Sequence, residues 1–339
     1  MKHKIKVLEI SSRSDIGGGP EQLFKIVSGL KDIFKFYCAC PDQEPYYNKI
    51  INEGVSVFKL PHRRFEVRSF LQLLRWTKIN NIMIVHSHGR GAGVYARLLK
   101  LFNKRLKIVH NFHGIHIEKK GLALIVARFL GILTNKFVLV SRSERQIAIR
   151  YRLASAPKCV LIENGIQIEK EEYLEKERLS VLDTFCESVP PDSFVIGMLS
   201  RFDIIKNIPY AIRRLSAYMK SHDEVFLVIG GDGEARRVIE HTVSEYNLQN
   251  KVILLGYIKN IKYFFSHIDV YLNTSLGEAF GFSTIEAMKY GVPVVASNVY
   301  GNSDVIEDKI TGLLFSLDKP ALLVKEINIL KNDKKIYDC

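Results

Sequence analysis

Two carboxylates that flank a glycine form the most informative stretch of the chain. In the run SLGEAFGFSTIEA, Glu278 and Glu286 stand eight residues apart with Gly281 between them. A helix that begins near this glycine offers its N-terminus to a phosphate and carries Glu286 on its second turn. Carboxylate oxygens accept hydrogen bonds from hydroxyl groups, so a polyhydroxylated ligand satisfies them without a metal. The stretch predicts a site for a ligand that carries sugar and phosphate.

Two cations follow an earlier apolar run. Arg201 comes directly after Ser200, and Lys206 follows five residues later. A guanidinium grips phosphate oxygens in a fork and an ammonium acts as a point charge, so the pair suits a diphosphate. On these residues alone a solvated basic turn is an equal alternative. Together with the two glutamates, the cations describe a nucleotide-sugar site.

Two glycine-rich turns also follow apolar runs. Gly18 and Gly19 precede Pro20, which suits a first helical turn, and Gly231 lies in the sequence GGDG. Glycine lets the backbone approach a ligand closely. The alternative for both sequences is a plain tight turn without a ligand. They are therefore supporting evidence for a ligand site.

A histidine occupies a similar position. His113 precedes Gly114 just beyond an apolar run, where an imidazole can bind a sugar hydroxyl or a phosphate. His86 and His88 end the preceding run and can line the same wall. A structural role is the alternative for each of these histidines.

The elements that must position these residues form a repeating pattern. Thirteen apolar runs, from Ile5–Ile10 to Gly312–Phe315, alternate with stretches of helical spacing. Such strands are typical of parallel sheets covered by helices on both faces, and ligands bind beyond their carboxyl ends. The pattern occurs twice around a Glu- and Lys-rich connector. We therefore predict an α/β fold with two Rossmann-like domains, 1–166 and 193–339, and a linker at 167–192.

Composition excludes several classes of protein. The chain has 339 residues, 47% hydrophobic and 25% charged, which excludes disordered and collagen-like proteins. Its net charge of +13 divides into +18 up to residue 166 and −5 beyond it. The five cysteines include no C-x2-C pair, and no apolar stretch reaches the ~18 residues of a spanning helix. These features favour a reduced, cytoplasmic protein.

In the order of its motifs the chain resembles the family-4 glycosyltransferases, retaining enzymes of the GT-B type. The resemblance includes His113-Gly114, Ser200-Arg201, the Glu278–Glu286 pair, and the run from Gly291 to Ala296. It implies two Rossmann-like domains whose parallel sheets face a central cleft. The first domain would bind the acceptor, and the second would bind the nucleotide-sugar donor.

The resemblance also implies individual roles. Arg201 and Lys206 would hold the diphosphate, Glu278 would bind sugar hydroxyls, and Glu286 would bind the ribose. His113 would contact the sugar near the reacting carbon. The remaining donor-binding residues would be Gly18, Gly19, Gly231, Phe280, Gly281 and Phe282.

The family's retention of configuration is generally explained by attack on the front face, with the leaving phosphate accepting the acceptor's proton. The chain has no Asp-x-Asp motif, the usual metal-binding sequence of the other main glycosyltransferase fold. We therefore expect no metal and no cofactor. The donor would be a UDP- or GDP-linked hexose or N-acetylhexosamine, used for bacterial-type surface polysaccharide or lipopolysaccharide synthesis.

A basic surface in the first domain predicts where the acceptor lies. Residues Val67–Ile79 have apolar side chains at helical spacing, with arginines expected on the opposite side, and a second apolar stretch spans 121–133. These features suit an anionic membrane on the inner face of the plasma membrane and a lipid-linked acceptor, although core helices with solvated charged faces are the alternative. The basic residues are Arg63, Arg64, Arg68, Arg75, Lys119 and Lys120.

Three other functions remain as alternatives. The protein could be a glycosyltransferase that acts on a soluble acceptor, a non-catalytic GT-B partner subunit, or a nucleic-acid-binding protein. The last is disfavoured because no zinc-finger spacing, RNP-like aromatic motif or Arg-rich tail is present, and because it leaves the donor-site residues unexplained. The sequence does not define the oligomeric state.

Overall fold

A computed structural model of the protein describes residues 4–115, 122–166 and 188–332. The chain divides into two compact units, Met1–Asn164 and Gly165–Cys339. We refer to them as unit 1 and unit 2. Most of the expected linker lies outside the described residues, so its bounds stay a prediction.

Unit 1 contains a seven-stranded parallel sheet in the spatial order β3-β2-β1-β4-β5-β6-β7. Its strands are Ile5–Ser11 (β1), Phe34–Cys40 (β2), Ser56–Lys59 (β3), Ile84–His88 (β4), Lys107–Asn111 (β5), Lys136–Leu139 (β6) and Cys159–Leu161 (β7). Its described helices are Gly18–Leu30 (α1), Tyr46–Asn52 (α2), Val67–Ile79 (α3), Gly89–Phe102 (α4), Leu122–Ile132 (α5) and Arg142–Arg150 (α6).

Unit 2 contains a six-stranded parallel sheet in the order β10-β9-β8-β11-β12-β13. Its strands are Phe194–Leu199 (β8), Val225–Gly230 (β9), Val252–Gly256 (β10), Val270–Asn273 (β11), Val294–Ser297 (β12) and Leu313–Phe315 (β13). Its described helices are Ile208–Ser221 (α7), Arg236–Glu245 (α8), Ile261–Phe265 (α9), Phe282–Lys289 (α10), Asn302–Val305 (α11) and Ala321–Asn332 (α12).

Helices cover both faces of each sheet, because successive side chains of a buried strand point to opposite sides. In unit 1, Val7 packs with Leu23 of α1, whereas the neighbouring Leu8 packs with Phe70 and Leu73 of α3. Each of the thirteen apolar runs overlaps a strand, which confirms the predicted α/β fold with two Rossmann-like units.

The strand order reverses once in each sheet. The reversal lies between β1 and β4 in unit 1 and between β8 and β11 in unit 2. Crossovers leave such a pair toward opposite sides, so a crevice opens beyond their carboxyl ends. The two reversal points are therefore where the fold favours ligand binding.

Candidate functional site

A cluster of polar side chains occupies the reversal point of unit 2. Lys206 Nζ lies 2.6 Å from Glu278 Oε1, and Ser275 Oγ donates to the same oxygen at 2.7 Å. Asn273, the last residue of β11, places its amide nitrogen 3.4 Å from that oxygen. The Glu278 side chain is 9% exposed, so the carboxylate is buried, and its Oε1 atom has three donors. Lys206 and Glu278 were both predicted from the sequence, where they are 72 positions apart, and the structure brings them together.

Arg201 lies on the same turn as Lys206 but has a different partner. Its Nε donates to Asp203 Oδ2 at 3.0 Å. Asp203 also caps the short 3-10 helix Ile204–Lys206 by accepting from the Lys206 backbone N–H at 3.2 Å. The Arg201 side chain is 41% exposed. The turn therefore presents two cations of unequal burial, Lys206 against a carboxylate and Arg201 toward solvent.

The glycine between the two glutamates caps helix α10. Gly281 has a φ of 75°, in the left-handed region that glycine adopts without strain, and α10 begins at Phe282. Glu286 is the fifth residue of that helix and half-buried. Its predicted position on the second turn is confirmed, and Phe280 is buried just before the cap.

Tyr271 of β11 joins the cluster beneath α10. Its hydroxyl lies 2.8 Å from Ser283 Oγ and 3.2 Å from the Leu199 carbonyl oxygen. Burial raises the pKa of Tyr271 well above its ordinary value, and the charges of Glu278 and Glu286 raise it further. The hydroxyl therefore stays protonated and can donate.

A small pocket opens among these groups. The Oγ of Ser200 is buried there without a hydrogen-bond partner among the described residues, which is costly unless a ligand or solvent atom supplies one. The polar side chains that line the pocket belong to Ser200, Lys206, Tyr271, Asn273, Thr274, Ser275, Glu278 and Ser283.

Gly231 lies against the loop that carries the cations. Its φ is 129°, and a Cβ built on it would lie 1.8 Å from the Ser200 carbonyl oxygen. Glycine is therefore required for the β9 loop to pack against the Ser200–Phe202 turn. This close packing places Gly231 against the turn that carries Arg201.

A second cluster occupies the reversal point of unit 1 and includes His113. Helix α1 begins at Gly18, and a Cβ on Gly19 would lie 3.5 Å from His113 Cδ2. His113 Nε2 lies 2.9 Å from His88 Nδ1, and His88 Nε2 lies 2.7 Å from Glu9 Oε2. His86 Nδ1 lies 3.0 Å from the same oxygen. The glycine turn and the three histidines are thus brought together around Glu9.

The ionisation of this second cluster follows from burial and neighbours. Burial alone would raise the pKa of the Glu9 carboxyl, but the two imidazoles beside it outweigh this and lower it to about 2. Burial lowers the pKa of His88, with His86 adding to the effect, and lowers that of His113 well below its usual range. Glu9 is therefore ionised at neutral pH, and His88 and His113 are neutral.

A second glutamate holds the His113 loop through its backbone. Glu144 Oε1 accepts from the Gly114 N–H at 2.7 Å, and its Oε2 accepts from the Val140 N–H at 3.0 Å. His113 itself has a φ of 56°, a left-handed conformation that non-glycine residues seldom adopt. The loop is therefore fixed from β6 and α6 in a conformation that presents the imidazole.

Glu9, His86 and His88 are also residue types that bind metals. Their candidate ligand atoms lie within 4.8 Å of one another. The direct hydrogen bonds between the carboxylate and both imidazoles already explain this spacing. The absence of a metal requirement stays a prediction.

Two family models match the chain. Glycosyltransferase Family 4 matches residues 32–170, and Glycosyl transferases group 1 matches residues 185–338. The chain belongs to the family-4 glycosyltransferases. This confirms the resemblance, and the protein is a glycosyltransferase.

Relatives of this glycosyltransferase carry names from surface polysaccharide synthesis. An Escherichia coli protein named UDP-Gal:alpha-D-GlcNAc-diphosphoundecaprenol alpha-1,3-galactosyltransferase is 24% identical, over 96% of this chain and 90% of its own length. The capsular polysaccharide biosynthesis glycosyltransferase CapM of Staphylococcus aureus is 23% identical, over 80% of this chain and 73% of its own. HepE of Anabaena, crystallised with UDP and glucose, matches 98% of this chain and 91% of its own with a TM-score of 0.82 and 19% identity. The structural match confirms the fold.

The basic residues of the glycosyltransferase lie partly where they were expected. Helix α3 forms over Val67–Ile79, and Arg63, Arg64, Arg68 and Arg75 are exposed. The expected division of its faces is wrong, because Val67 and Leu71 are 64% and 56% exposed beside the arginines. The buried face consists of Phe70, Leu73 and Thr77, which pack on the sheet. Lys119 and Lys120 lie outside the described residues.

Within the part of the chain that the structure describes, no helix has the length and apolar content needed to cross a bilayer.

Several residues of the glycosyltransferase sites were not predicted from sequence. Among them, Tyr271 and Asn273 lie in β11, Ser275 lies two residues beyond its end, and Glu9 lies inside β1. Glu9 does leave a signal in the sequence, because it is a charged residue within an otherwise apolar run. A carboxylate in a strand buried on both faces needs partners, and such a residue is a candidate for a polar cluster.

Proposed function

We propose that this glycosyltransferase moves a hexose or N-acetylhexosamine from a UDP-sugar to a saccharide linked to a polyprenyl diphosphate, with retention of configuration and without a metal. The main support is the cluster of Lys206, Glu278, Ser275 and Asn273 at the reversal point of unit 2. UDP is preferred to GDP because HepE binds UDP and the Escherichia coli relative is named for UDP-Gal. The acceptor class is suggested by the same relative's name.

The residues of unit 2 match the needs of the leaving group. As the bond between the anomeric carbon and the diphosphate breaks, negative charge grows on phosphate oxygen, and Lys206 and Arg201 stabilise it. Glu278 accepts hydrogen bonds from sugar hydroxyls, and Glu286 accepts from the ribose. The acceptor oxygen bonds to the anomeric carbon on the face that the diphosphate leaves, and its proton passes to the leaving phosphate oxygen.

Donor binding tests the proposal directly. UDP-sugars and GDP-sugars are screened for their effect on the melting temperature of the wild type, Lys206→Ala and the control Lys220→Ala. Lys220 is an exposed cation at the end of α7 in the same unit. We expect a UDP-sugar to stabilise the wild type and the control but not Lys206→Ala. Equal stabilisation of all three proteins would contradict the assigned site.

Product analysis tests the acceptor and the stereochemistry. The stabilising donor is incubated with a polyprenyl-diphosphate-linked saccharide and, separately, with the free saccharide, and products are identified by mass spectrometry. We expect transfer to the lipid-linked acceptor, an α-linkage from an α-linked donor by NMR, and undiminished turnover in EDTA. Transfer to the free saccharide alone, inversion, or loss of turnover in EDTA would each remove one part of the proposal.

An exposed face of α3 supports a membrane-associated acceptor. Val67 and Leu71 share it with Arg68, Arg75 and Lys78, so apolar and cationic groups face solvent together. Such a face suits an anionic bilayer surface, where each basic residue contributes about 1 kcal/mol. Cosedimentation with phosphatidylglycerol vesicles at low salt tests this, and failure to bind would remove the membrane part.

A further inference from the structure

A buried chain of hydrogen bonds links a carboxylate of β1 to His113. Glu9 and His88 are 1% and 3% exposed. Between His88 and His113 the ring planes differ by 21°, and the centroids are 5.1 Å apart. The distance between the centroids exceeds the nitrogen–nitrogen distance of 2.9 Å by about two ring radii. The two nitrogens therefore lie on the line between the ring centres, and the rings meet edge to edge. The contact is therefore an in-plane hydrogen bond between the two imidazoles.

The direction of the protons along this chain follows from the carboxylate. An ionised carboxylate only accepts hydrogen bonds, so His88 Nε2 donates to Glu9. A neutral imidazole has one N–H, which leaves His88 Nδ1 as an acceptor, and His113 must donate from Nε2. The Nδ1 atom of His113 then keeps its lone pair. Among the described residues, no protein group hydrogen-bonds to this Nδ1 atom.

We propose that Glu9 is a positioning residue for sugar transfer: acting through His88, it holds His113 in the tautomer whose Nδ1 accepts a hydrogen bond from a hydroxyl of the transferred sugar. This rests on the proposed function for the identity of the ligand. The tautomer itself is a property of the protein alone, and it is measurable without substrate.

The surroundings of the chain support a dedicated role. His86 also donates to Glu9, but its Nε2 has no hydrogen-bond partner among the described residues, so no described hydrogen bond continues this branch to another side chain. Glu144 fixes the backbone at Gly114 and does not contact the imidazole of His113 in any described hydrogen bond. The ring orientation and the backbone position of His113 are therefore set by two separate glutamates.

Nitrogen-15 NMR of the full chain, labelled at histidine, tests the tautomer. The protonated and bare nitrogens of a neutral imidazole have well separated shifts, and the His113→Ala spectrum assigns the His113 signals. We expect His113 to carry its proton on Nε2 in the wild type. A proton on Nδ1, or an imidazolium at neutral pH, would overturn the proposal.

Two substitutions at position 9 separate the hydrogen bond from the volume of the side chain. Glu9→Gln keeps a carboxamide oxygen that accepts from His88, so the Nε2–H tautomer of His113 should persist. Glu9→Leu removes the acceptor, and His113 should become a mixture of tautomers. An unchanged tautomer in folded Glu9→Leu would overturn the proposal. If Glu9→Leu does not fold, His88→Phe removes the same link, and an unchanged tautomer there has the same meaning.

Kinetics connect the tautomer to the reaction. Loss of one oriented hydrogen bond to the sugar should lower kcat/KM of Glu9→Leu about tenfold, and Glu9→Gln should lose less. UDP, which lacks the sugar, should bind both variants with wild-type affinity by calorimetry. If the NMR result is as expected but no donor is turned over, the proposed function fails and the tautomer assignment stands. If Glu9→Leu keeps full kcat/KM, the positioning role fails.

Discussion

At the scale of single residues, the contact between Lys206 and Glu278 connects the two roles that we propose for them, diphosphate binding and sugar binding. The two charged atoms are 2.6 Å apart, so each partly neutralises the other. On this proposal, a bound diphosphate would compete with Glu278 for the ammonium group of Lys206. Sugar hydroxyls, which donate hydrogen bonds, would then replace the contact with Lys206 that Glu278 loses.

Glu278→Gln tests this competition. Removal of the carboxylate charge frees Lys206, so UDP alone should bind at least as tightly as to the wild type. Sugar transfer should fall by about 100-fold, because the carboxylate no longer accepts from the reacting sugar. Calorimetry with UDP and steady-state kinetics with the UDP-sugar measure the two effects. Glu240→Gln, at an exposed ion pair in the same unit, is the control, and parallel losses of UDP affinity and transfer would contradict the interpretation.

The buried histidines of unit 1 make its stability depend on pH. Unfolded histidines take up protons below about pH 6.5, whereas burial lowers the pKa of His88, His110 and His113 in the folded state. The unfolded chain therefore binds more protons as the pH falls, and the free energy of unfolding decreases. Glu9 adds a further loss of about 3 kcal/mol as the pH falls from about 4.5 toward 2, because its folded pKa is about 2.

Trp76 provides a specific probe of this effect. It is the single tryptophan of the chain and packs in unit 1 between Tyr37 and Phe58, at centroid distances of 5.5 and 5.6 Å. We expect the urea midpoint of its fluorescence transition to fall between pH 7 and pH 5, and again below pH 4.5. Glu9→Gln should lose the second decrease, and the exposed-site control His62→Gln should retain both. A midpoint that is constant from pH 7 to pH 5 would contradict the histidine assignment.

Some residues of the sites were predictable and others were not. Glu278, Gly281 and Glu286 form a local motif that could be read from the sequence. In the structure Gly281 caps helix α10, and Glu286 lies on its second turn. Tyr271 and Glu9 act through contacts with distant segments, which depend on strand order. The sequence of β1 alone does not predict that β4 lies beside it and brings His86 opposite Glu9.

At the scale of elements, strands were easier to predict than helix faces. A strand buried on both sides is a continuous apolar run, and this signal needs no knowledge of its neighbours. Helix α3 has apolar residues on two arcs, Phe70 and Leu73 on one and Val67 and Leu71 on the other. Periodicity alone does not decide which arc packs on the sheet, because that depends on the path of the chain from β3 to β4.

Loop packing around the cations depends on Gly231. In Gly231→Ala a methyl group would meet the Ser200 carbonyl at 1.8 Å, where only backbone movement can relieve the clash. Gly291 also has a positive φ, 72°, but a Cβ there meets no atom within 4 Å. We expect Gly291→Ala to cost about 1 kcal/mol, the ordinary price of a left-handed alanine, and Gly231→Ala to cost at least about 3 kcal/mol.

Calorimetric unfolding measures this difference. The UDP-dependent rise in melting temperature should also shrink in Gly231→Ala, because the Ser200–Phe202 turn must shift, and should persist in Gly291→Ala. Equal destabilisation by the two alanines would show that the backbone conformation, and not the contact with Ser200, explains the glycine.

At the scale of the whole molecule, the charge is divided between the two units. The net charge of +18 up to residue 166 and −5 beyond it places the cationic excess in unit 1. The few cations of the unit 2 site act at defined positions, Lys206 against Glu278 and Arg201 against Asp203. The exposed arginines of α3 instead form a diffuse surface, which suits a partner with many negative charges and no fixed geometry.

A matched pair of charge reversals tests whether this surface, rather than net charge, binds membranes. Arg68→Glu with Arg75→Glu changes two exposed cations seven residues apart on α3, and Arg213→Glu with Lys220→Glu makes the same change at the same spacing on α7. Both double variants have the same net charge. Because each basic residue near an anionic surface contributes about 1 kcal/mol, the α3 variant should bind phosphatidylglycerol vesicles at least about tenfold more weakly, and the α7 variant should resemble the wild type. Binding of the wild type should also weaken as salt shortens the range of the charges. Equal losses in the two variants would mean that total charge alone governs adsorption, and the assignment of α3 to the membrane would be wrong.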